Sequence, residues 1–394
     1  MYTDLVLNSP MGSDGVGVDF IQPGTRFETG LLRPYLDIET GRKMVTINTG
    51  RSRYNDKTNT YDPIFEEALL DDLTARGVNS PVANASSLRK DEWIQLDQVV
   101  IRAARKRLRA WADLSAANTF GGFNGMSKMV LEHETMSDPG EAQVDMDGLT
   151  EGRTDSPKFQ LEALPLPITH SDFWFSQRKL AISRNSGTPL DTSMAEAAGR
   201  RVAESIEKTL IGVTTGMSYG TDARYGRTSS VYGYTNFAPR QTYTGMTAPT
   251  AGGWKPDTTV ANVINLRELL YAVNMYGPFM LYCSTDWDRY LDGDYYALAT
   301  SGMAAPTQTL RQRLKQIDGI MDVRRLDYFT STFSMVLVQM TSDVCRAVNG
   351  MDITTVQWES QGGMRLNFKV MAIQVPQLRA DFLGNCGIAH GSTS

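Results

Sequence analysis

Between Ser193 and Gly212 the apolar positions Met194, Ala198, Val202, Ile206 and Leu210 recur every fourth residue, with Ala203 beside them. That spacing puts them on one stripe of an α-helix. Arg200, Arg201, Glu204, Glu207 and Lys208 take the opposite side. Ser193 and Glu196 have capping-box spacing at its start, and Gly212 suits its end. At 1.5 Å per residue the helix reaches roughly 27 Å. An ordinary surface helix would show the same stripe, so the order of the surrounding segments carries the argument.

Upstream, Pro165 and Pro167 fix φ and press Leu164 and Leu166 into extended geometry. Phe173-Trp174-Phe175 then alternates as a strand does, with Phe173 and Phe175 on one face and Trp174 on the other. Both faces would be covered in a contact layer. Ser186-Gly187-Thr188-Pro189 reads as a turn into the long helix.

A second helical period runs from Trp93 to Ser115. Leu96, Val100, Ala104, Leu108 and Trp111 form its apolar stripe, and Arg102, Arg105, Lys106 and Arg109 a basic one. The basic face suits packaged nucleic acid. It equally suits solvent or ion pairs with an adjacent subunit.

Beyond residue 256 the pattern changes to a compact α/β-like unit. Asp257 can cap a helix carrying Val260, Val263, Ile264, Leu266, Leu270 and Val273, stopped by Gly277-Pro278. Phe279 to Cys283 reads as a buried strand, Asp286 opens a short helical turn near Tyr290 and Leu291, and Leu310 to Ile317 is another helix. Ile320 to Val323 and Phe333 to Met340 are strands. Alternation from Ile353 through Val375 gives two antiparallel strands around a Gly362-Gly363 turn.

The remaining segments are less regular. Residues 1 to about 88 have no long helical period but carry turns at Pro10, Pro23 and Thr40, a short strand at Met44 to Ile47, and a short helix from Pro63 to Arg76 ending at Gly77. They are either an extended arm whose core neighbours supply or a small α+β domain. Gly121 to Lys158 is Gly-rich, then acidic and turn-prone, as a projecting two-stranded loop would be. Residues 212 to 258, rich in Gly, Thr and Tyr, suggest an ordered, irregular loop.

Composition narrows the class. With 394 residues, 41% hydrophobic and 21% charged, the chain suits a globular protein of two or three domains. No run of eighteen apolar residues occurs, so no membrane partner is expected, and MYTDLVLNSPMGSDG lacks the basic start and apolar block of a signal peptide. Cys283, Cys345 and Cys386 are too few for a disulfide framework and point to assembly in a reducing compartment. A net charge of −5 opposes wholesale nucleic-acid coating but not a local basic patch.

No reaction site emerges. His133, His170 and His390 lack metal-ligand spacing, and no CxxC, HExxH, Walker loop, GxGxxG or G-x-S-x-G occurs. Asp286, Asp288, Asp292 and Asp294 superficially suggest a calcium loop. They lack its spacing and its closing Glu, so an exposed acidic turn is expected. Cys283 lies in an apolar run, where it acts as a small hydrophobe. No catalytic, metal or cofactor residue is therefore assigned. The chain is expected not to be an enzyme, and Arg102, Arg105, Lys106 and Arg109 remain as the candidate DNA-facing set.

The order of these segments resembles the major capsid protein fold of tailed bacteriophages, the Hong Kong 97 type, and its encapsulin-like branch in particular. LPLPITHSDFWFSQRKLAIS resembles the proline-led strand before the spine helix, and DTSMAEAAGRRVAESIEKTLIG the spine helix itself. GPFMLYCSTDWDRYL and VLVQM resemble the apical domain, and MDITTVQWES with MRLNFKVMAIQVPQL the closing strands of the peripheral domain. The resemblance covers about residues 91–390. It implies an α+β capsid fold with a long N-terminal arm (1–90), a basic amphipathic helix (91–120) and an extended loop overlapping a neighbour (121–165). A peripheral domain with the spine helix (166–212), an insertion loop (213–258), an apical domain (259–344), and closing strands with the C-terminus (345–394) would follow.

By the same resemblance the chain would assemble with itself in rings of five and six into an icosahedral shell around double-stranded DNA. It would hold that DNA by weak non-specific contact, meet portal, scaffold or cement proteins, and reside in a virion assembled in the host bacterial cytoplasm. The long arm and the insertion depart from encapsulins and favour a phage shell. An encapsulin-type nanocompartment with enzyme cargo and an unfamiliar α/β enzyme are the alternatives. Some relatives crosslink through a Lys–Asn bond. Lys128 and Lys158 lie in the loop region, but no partner matches them, and solvated lysines are expected.

Overall fold

The computed structural model describes residues 32–36, 43–55, 60–69, 90–106, 108–137, 146, 156, 158–186, 192–213, 218–222, 227–293, 295 and 308–393. The first described elements form an antiparallel sheet of β1 (Leu32–Leu36), β2 (Lys43–Asn55) and β3 (Thr60–Leu69). Helices α1 (Lys90–Arg105) and α2 (Ala110–Ala117) and strand β4 (Thr119–Phe120) follow. Next come a hairpin of β5 (Val130–Met136) and β6 (Phe159–Pro165), strand β7 (Thr169–Ser176), and helices α3 (Gln177–Ser186) and α4 (Ser193–Ile211). A small pair, β8 (Ser218–Asp222) and β9 (Arg227–Ser230), leads to β10 (Gln241–Met246), α5 (Pro256–Tyr271) and β11 (Phe279–Ser284). The chain continues through α6 (Asp288–Leu291), α7 (Leu310–Lys315), β12 (Ile320–Leu326) and β13 (Met335–Gln339). It closes with β14 (Cys345–Ser360), β15 (Arg365–Leu378) and β16 (Ile388–Thr393).

Two larger sheets organise the fold. The four-stranded sheet runs β4-β14-β15-β7, and the five-stranded one β10-β16-β13-β11-β12. In the first, β7 pairs antiparallel with β15 in a register that sets Phe175 opposite Leu366 and Phe173 opposite Phe368. The rings of Phe173 and Phe368 stack at 5.1 Å between centroids. Phe173 and Phe175 are buried as their alternation implies, whereas Trp174 is 51% exposed, with the Arg365 guanidinium 4.4 Å from its ring centroid.

Burial on both faces explains the continuous apolar run of β11. Met280 and Tyr282 enter a core shared with α1, α2, α4 and the four-stranded sheet, while Phe279, Leu281 and Cys283 enter a second core with α5, α6 and α7. Neighbouring β13 splits in the same way, Val336 and Val338 to one side and Met335 and Leu337 to the other. A sheet covered on both sides selects hydrophobic residues at every position rather than every second one.

Helix α4 lies between the sheets. Ala198, Val202, Ala203, Ile206 and Leu210 are buried as the stripe requires; full burial of a Val, Ile or Leu stabilises by roughly 1.5–3 kcal/mol. Gly212 ends the helix in the left-handed conformation, φ 97°, and the incoming loop satisfies the last carbonyls, with Tyr234 N donating to Leu210 O and Thr235 N to Ile211 O. Gly199 sits where α1 crosses. A Cβ there would stand 2.8 Å from the Val100 carbonyl oxygen.

Several expectations need correction. Met194 is 52% exposed and leaves the stripe, because the first turn of α4 turns Ala195, not Met194, into the core. The N-cap is Thr192, without a side-chain cap bond, so the Ser193–Glu196 capping box is not formed. Lys255, not Asp257, is the N-cap of α5, since Pro256 takes the first helical position; Asp257 instead accepts from the Tyr295 hydroxyl. The single helix expected from Trp93 to Ser115 is two, and α3 was not foreseen. Residues 63–69 are strand, because antiparallel pairing with β2 outweighs the local helical pattern. The five-stranded sheet draws on residues outside 259–344, since β10 and β16 both join it. The turns at Pro10, Pro23, Thr40 and Gly187–Pro189 and the residues 70–77 lie outside the described residues.

Candidate functional site

Arg102 and Arg105 stand on the last turn of α1, Lys106 in the turn that follows, and Arg109 at the N-cap of α2. All four are exposed. They form a cationic corner rather than the continuous stripe of one helix. The chain breaks there because a buried acid claims the first turn of α2.

That acid is Glu207, only 1% exposed on the inner side of α4. Its Oε1 accepts from the Ala110 backbone N–H at 2.7 Å and its Oε2 from that of Trp111 at 3.1 Å. Helix α2 has no side-chain cap of its own. Glu207 therefore serves as a cap delivered from a distant helix, and its negative charge complements the helix dipole. Burial nonetheless dominates and pushes its carboxyl up to about 7, against the pull of the Ala110, Trp111 and Arg109 backbone bonds. Placing Glu207 on the polar side of α4 was wrong, because a period-of-four pattern cannot reveal a partner almost a hundred residues away.

The junction continues on the other side of α2. Asp113 accepts from the Tyr282 hydroxyl at 3.2 Å and pairs with Arg324. Burial raises its pKa despite that arginine. Tyr282 stacks on Tyr234 at 6.0 Å, and both phenols are pushed well up by burial. Side chains from α4, α2, β11 and β12 thus hold the two sheets together through hydrogen bonds as well as apolar packing.

The loop expected between Gly121 and Lys158 is a hairpin, with β5 and β6 paired from Val130↔Pro165 to Met136↔Phe159. Leu164 and Leu166 anchor its base in a third apolar cluster with Met351, Met371 and Ile373. Met129, Met136 and Phe159 are exposed along it. Near its base the Gly125 N–H donates to Gly350 O at 3.1 Å, and a Cβ on either glycine would approach the other to 2.8 Å. Lys128 lies 5.7 Å from the Phe123 ring centroid.

The chemistry-bearing residues are occupied structurally. Cys283, Cys345 and Cys386 are free and buried, each thiol pushed by burial up to about 12. His390 sits 2.8 Å from the Ser334 hydroxyl, and burial lowers its pKa to about 4. His133 lies 3.2 Å from Glu162, and His170 3.2 Å from Asp172. Asp288, expected in an open acidic turn, is held by Arg311 and Arg325, both at 2.8 Å. Burial raises its pKa, but the arginine hydrogen bonds outweigh that and keep it low. Asp292 pairs with Arg311 at 3.0 Å, and Asp294 lies outside the described residues. Among the described residues no cluster of His, Cys, Asp and Glu could hold a metal ion, and no helix is long and apolar enough to cross a membrane.

Comparison with solved structures places the fold. The capsid of Myoviridae phage XM1 is similar to 69% of this chain over 89% of its own, with 10% identity and a TM-score of 0.50. A virus-like particle from Pyrococcus furiosus shows 16% identity over 75% of this chain and 98% of its own, TM-score 0.49. The capsid of a native GTA particle shows 12% identity over 72% and 89%, TM-score 0.47. No curated protein matches the chain. Residues 83–391 match the profile described as "Family of unknown function (DUF6260)", and the chain belongs to that family, with a fold of the Hong Kong 97 type.

Proposed function

We propose that this chain is the major capsid protein of a tailed phage, self-assembling into an icosahedral shell around double-stranded DNA. The observation that carries this reading is the pairing of an extended β5–β6 hairpin with a two-sheet body braced by one long helix, in a fold similar to the XM1 capsid. A lone protomer leaves Met129, Met136 and Phe159 of that hairpin uncovered, and a neighbouring copy would bury them. Many modest interfaces per subunit then sum to a stable shell.

In this reading the apical sheets converge in rings of five and six, residues 1–90 act as an arm across neighbours, and the shell resides in the virion after assembly in the bacterial cytoplasm. Portal, scaffold or cement proteins are further partners. Arg102, Arg105, Lys106 and Arg109 face the genome, with few enough charges that DNA contact stays weak and release stays easy. Catalysis has no role.

Electron microscopy of purified particles with nuclease treatment tests the proposal. Uniform icosahedral shells enclosing nuclease-protected DNA are expected. Nucleic-acid-free shells filled with protein would instead identify an enzyme-carrying compartment, and dispersed monomers with turnover would identify an enzyme.

A further inference from the structure

Between the start of α2 and the apical domain lies a cleft of about 670 Å³, walled by Leu108, Arg109 and Ala112 on one side and by β12, α7 and Asp288 on the other. Five cations line it: Arg109, Arg311, Lys315, Arg324 and Arg325. Strand β12 is an edge strand of the five-stranded sheet, and charged residues on an exposed edge commonly serve to block unwanted pairing. That explanation accounts for charge at the edge. It does not account for an open cleft onto which five cations converge from three separate elements.

The way these cations are held points to a ligand. Arg311 spends Nε on Asp292, one terminal nitrogen on Asp288 and the other on the Val323 carbonyl. Arg325 spends Nε on Asp327 and one terminal nitrogen on Asp288. Arg324 spends Nε on Asp322 and one terminal nitrogen on Asp113. A guanidinium carries five N–H donors, so each fork is fixed in place with donors to spare. Fixed forks lose little entropy on binding and match phosphate oxygens in geometry. Lys315, 2.5 Å from Asp322, adds a point charge. The five aspartates temper the charge of the cleft, which favours reversible capture over permanent neutralisation. Arg109 belongs both to this cleft and to the exposed cationic corner, so the two form one track.

We infer that this cleft seats consecutive phosphate groups, as on a nucleic-acid backbone or a free polyphosphate, and extends the track that begins at Arg102. The nucleic-acid form of the inference rests on the shell reading; the phosphate site itself does not.

Lys315→Gln in the full chain tests it, with Lys315→Arg as the charge-preserving control for folding. Binding of a labelled DNA duplex is followed by anisotropy against salt, and melting is followed with and without inorganic pyrophosphate. Lys315→Gln should weaken duplex binding several-fold and flatten the log K against log salt slope by about one, while Lys315→Arg retains the wild-type slope. Pyrophosphate should compete with the duplex and raise the melting temperature of wild type more than that of Lys315→Gln. A pyrophosphate response without a slope change identifies free polyphosphate and overturns the nucleic-acid half. A slope change without a pyrophosphate response identifies the backbone. Unchanged slope and unchanged melting overturn the site. Shells that form normally without phosphate binding sink only the cleft; phosphate binding without shells sinks only the capsid reading.

Discussion

Glu207 on α4 accepts the Ala110 backbone N–H at 2.7 Å, across a sequence separation of 97 residues. One carboxylate therefore orients the helix that carries Asp113, and so relates α4 to the five-stranded sheet through Tyr282 and Arg324.

The pH dependence of that bond has a definite sign. Glu207 is raised from 4.5 to about 7 by burial, so between those values the folded state binds more protons than the unfolded one. Stability from this group falls as pH rises through that window, by on the order of 3 kcal/mol. Below about 4.5 the penalty is absent, and above about 7 it is complete. Denaturant unfolding of the unassembled protein should show the decline in wild type and a flat profile across that window in Glu207→Gln, which has no titrating group there. Parallel profiles for the two proteins would refute a raised Glu207.

Close approach of α1 and α4 at Gly199 predicts intolerance of even one methyl group. Alanine would gain about 1 kcal/mol of helix propensity but push against the Val100 carbonyl, a backbone atom that cannot step aside. Overpacking typically costs 1–3 kcal/mol. Gly199→Ala should lower stability by up to about 2 kcal/mol in denaturant melts, and stabilisation would contradict the packing.

Replacing Arg102, Lys106 and Arg109 together by Gln should leave shell formation intact and modestly reduce DNA retention. Exposed positions contribute within about 0.5 kcal/mol to folding. Particle yield by sedimentation and DNA content by absorbance check this. Loss of assembly would instead make these residues partners of a neighbouring subunit.

Deleting residues 1–90 should leave a soluble protein that forms no closed shells. Among the described residues, Leu96 and later positions supply the two apolar cores and the hairpin base, and these remain in the truncated chain. Normal particles from the truncated chain would remove the arm from the assembly mechanism.

Local periodicity determined the elements whose environment is uniform along their length. The stripe of Ala198, Val202, Ile206 and Leu210, the doubly buried β11 and the turn at Gly362-Gly363 were all legible, because each depends on repeating contacts with one kind of neighbour. The resemblance to shell proteins followed from their order. Tertiary structure alone decided the rest, wherever a residue answers to a distant partner. The break at 106–109 belongs to Glu207, strand β3 to its ladder with β2, and the places of β10 and β16 to a sheet whose centre lies elsewhere in the chain. The cleft beside Arg109 is of the same kind, since α2, α7 and β12 meet only after folding. Spacing along a chain encodes which face a side chain takes, but hydrogen bonds and ion pairs between remote segments are settled by where the backbone brings them.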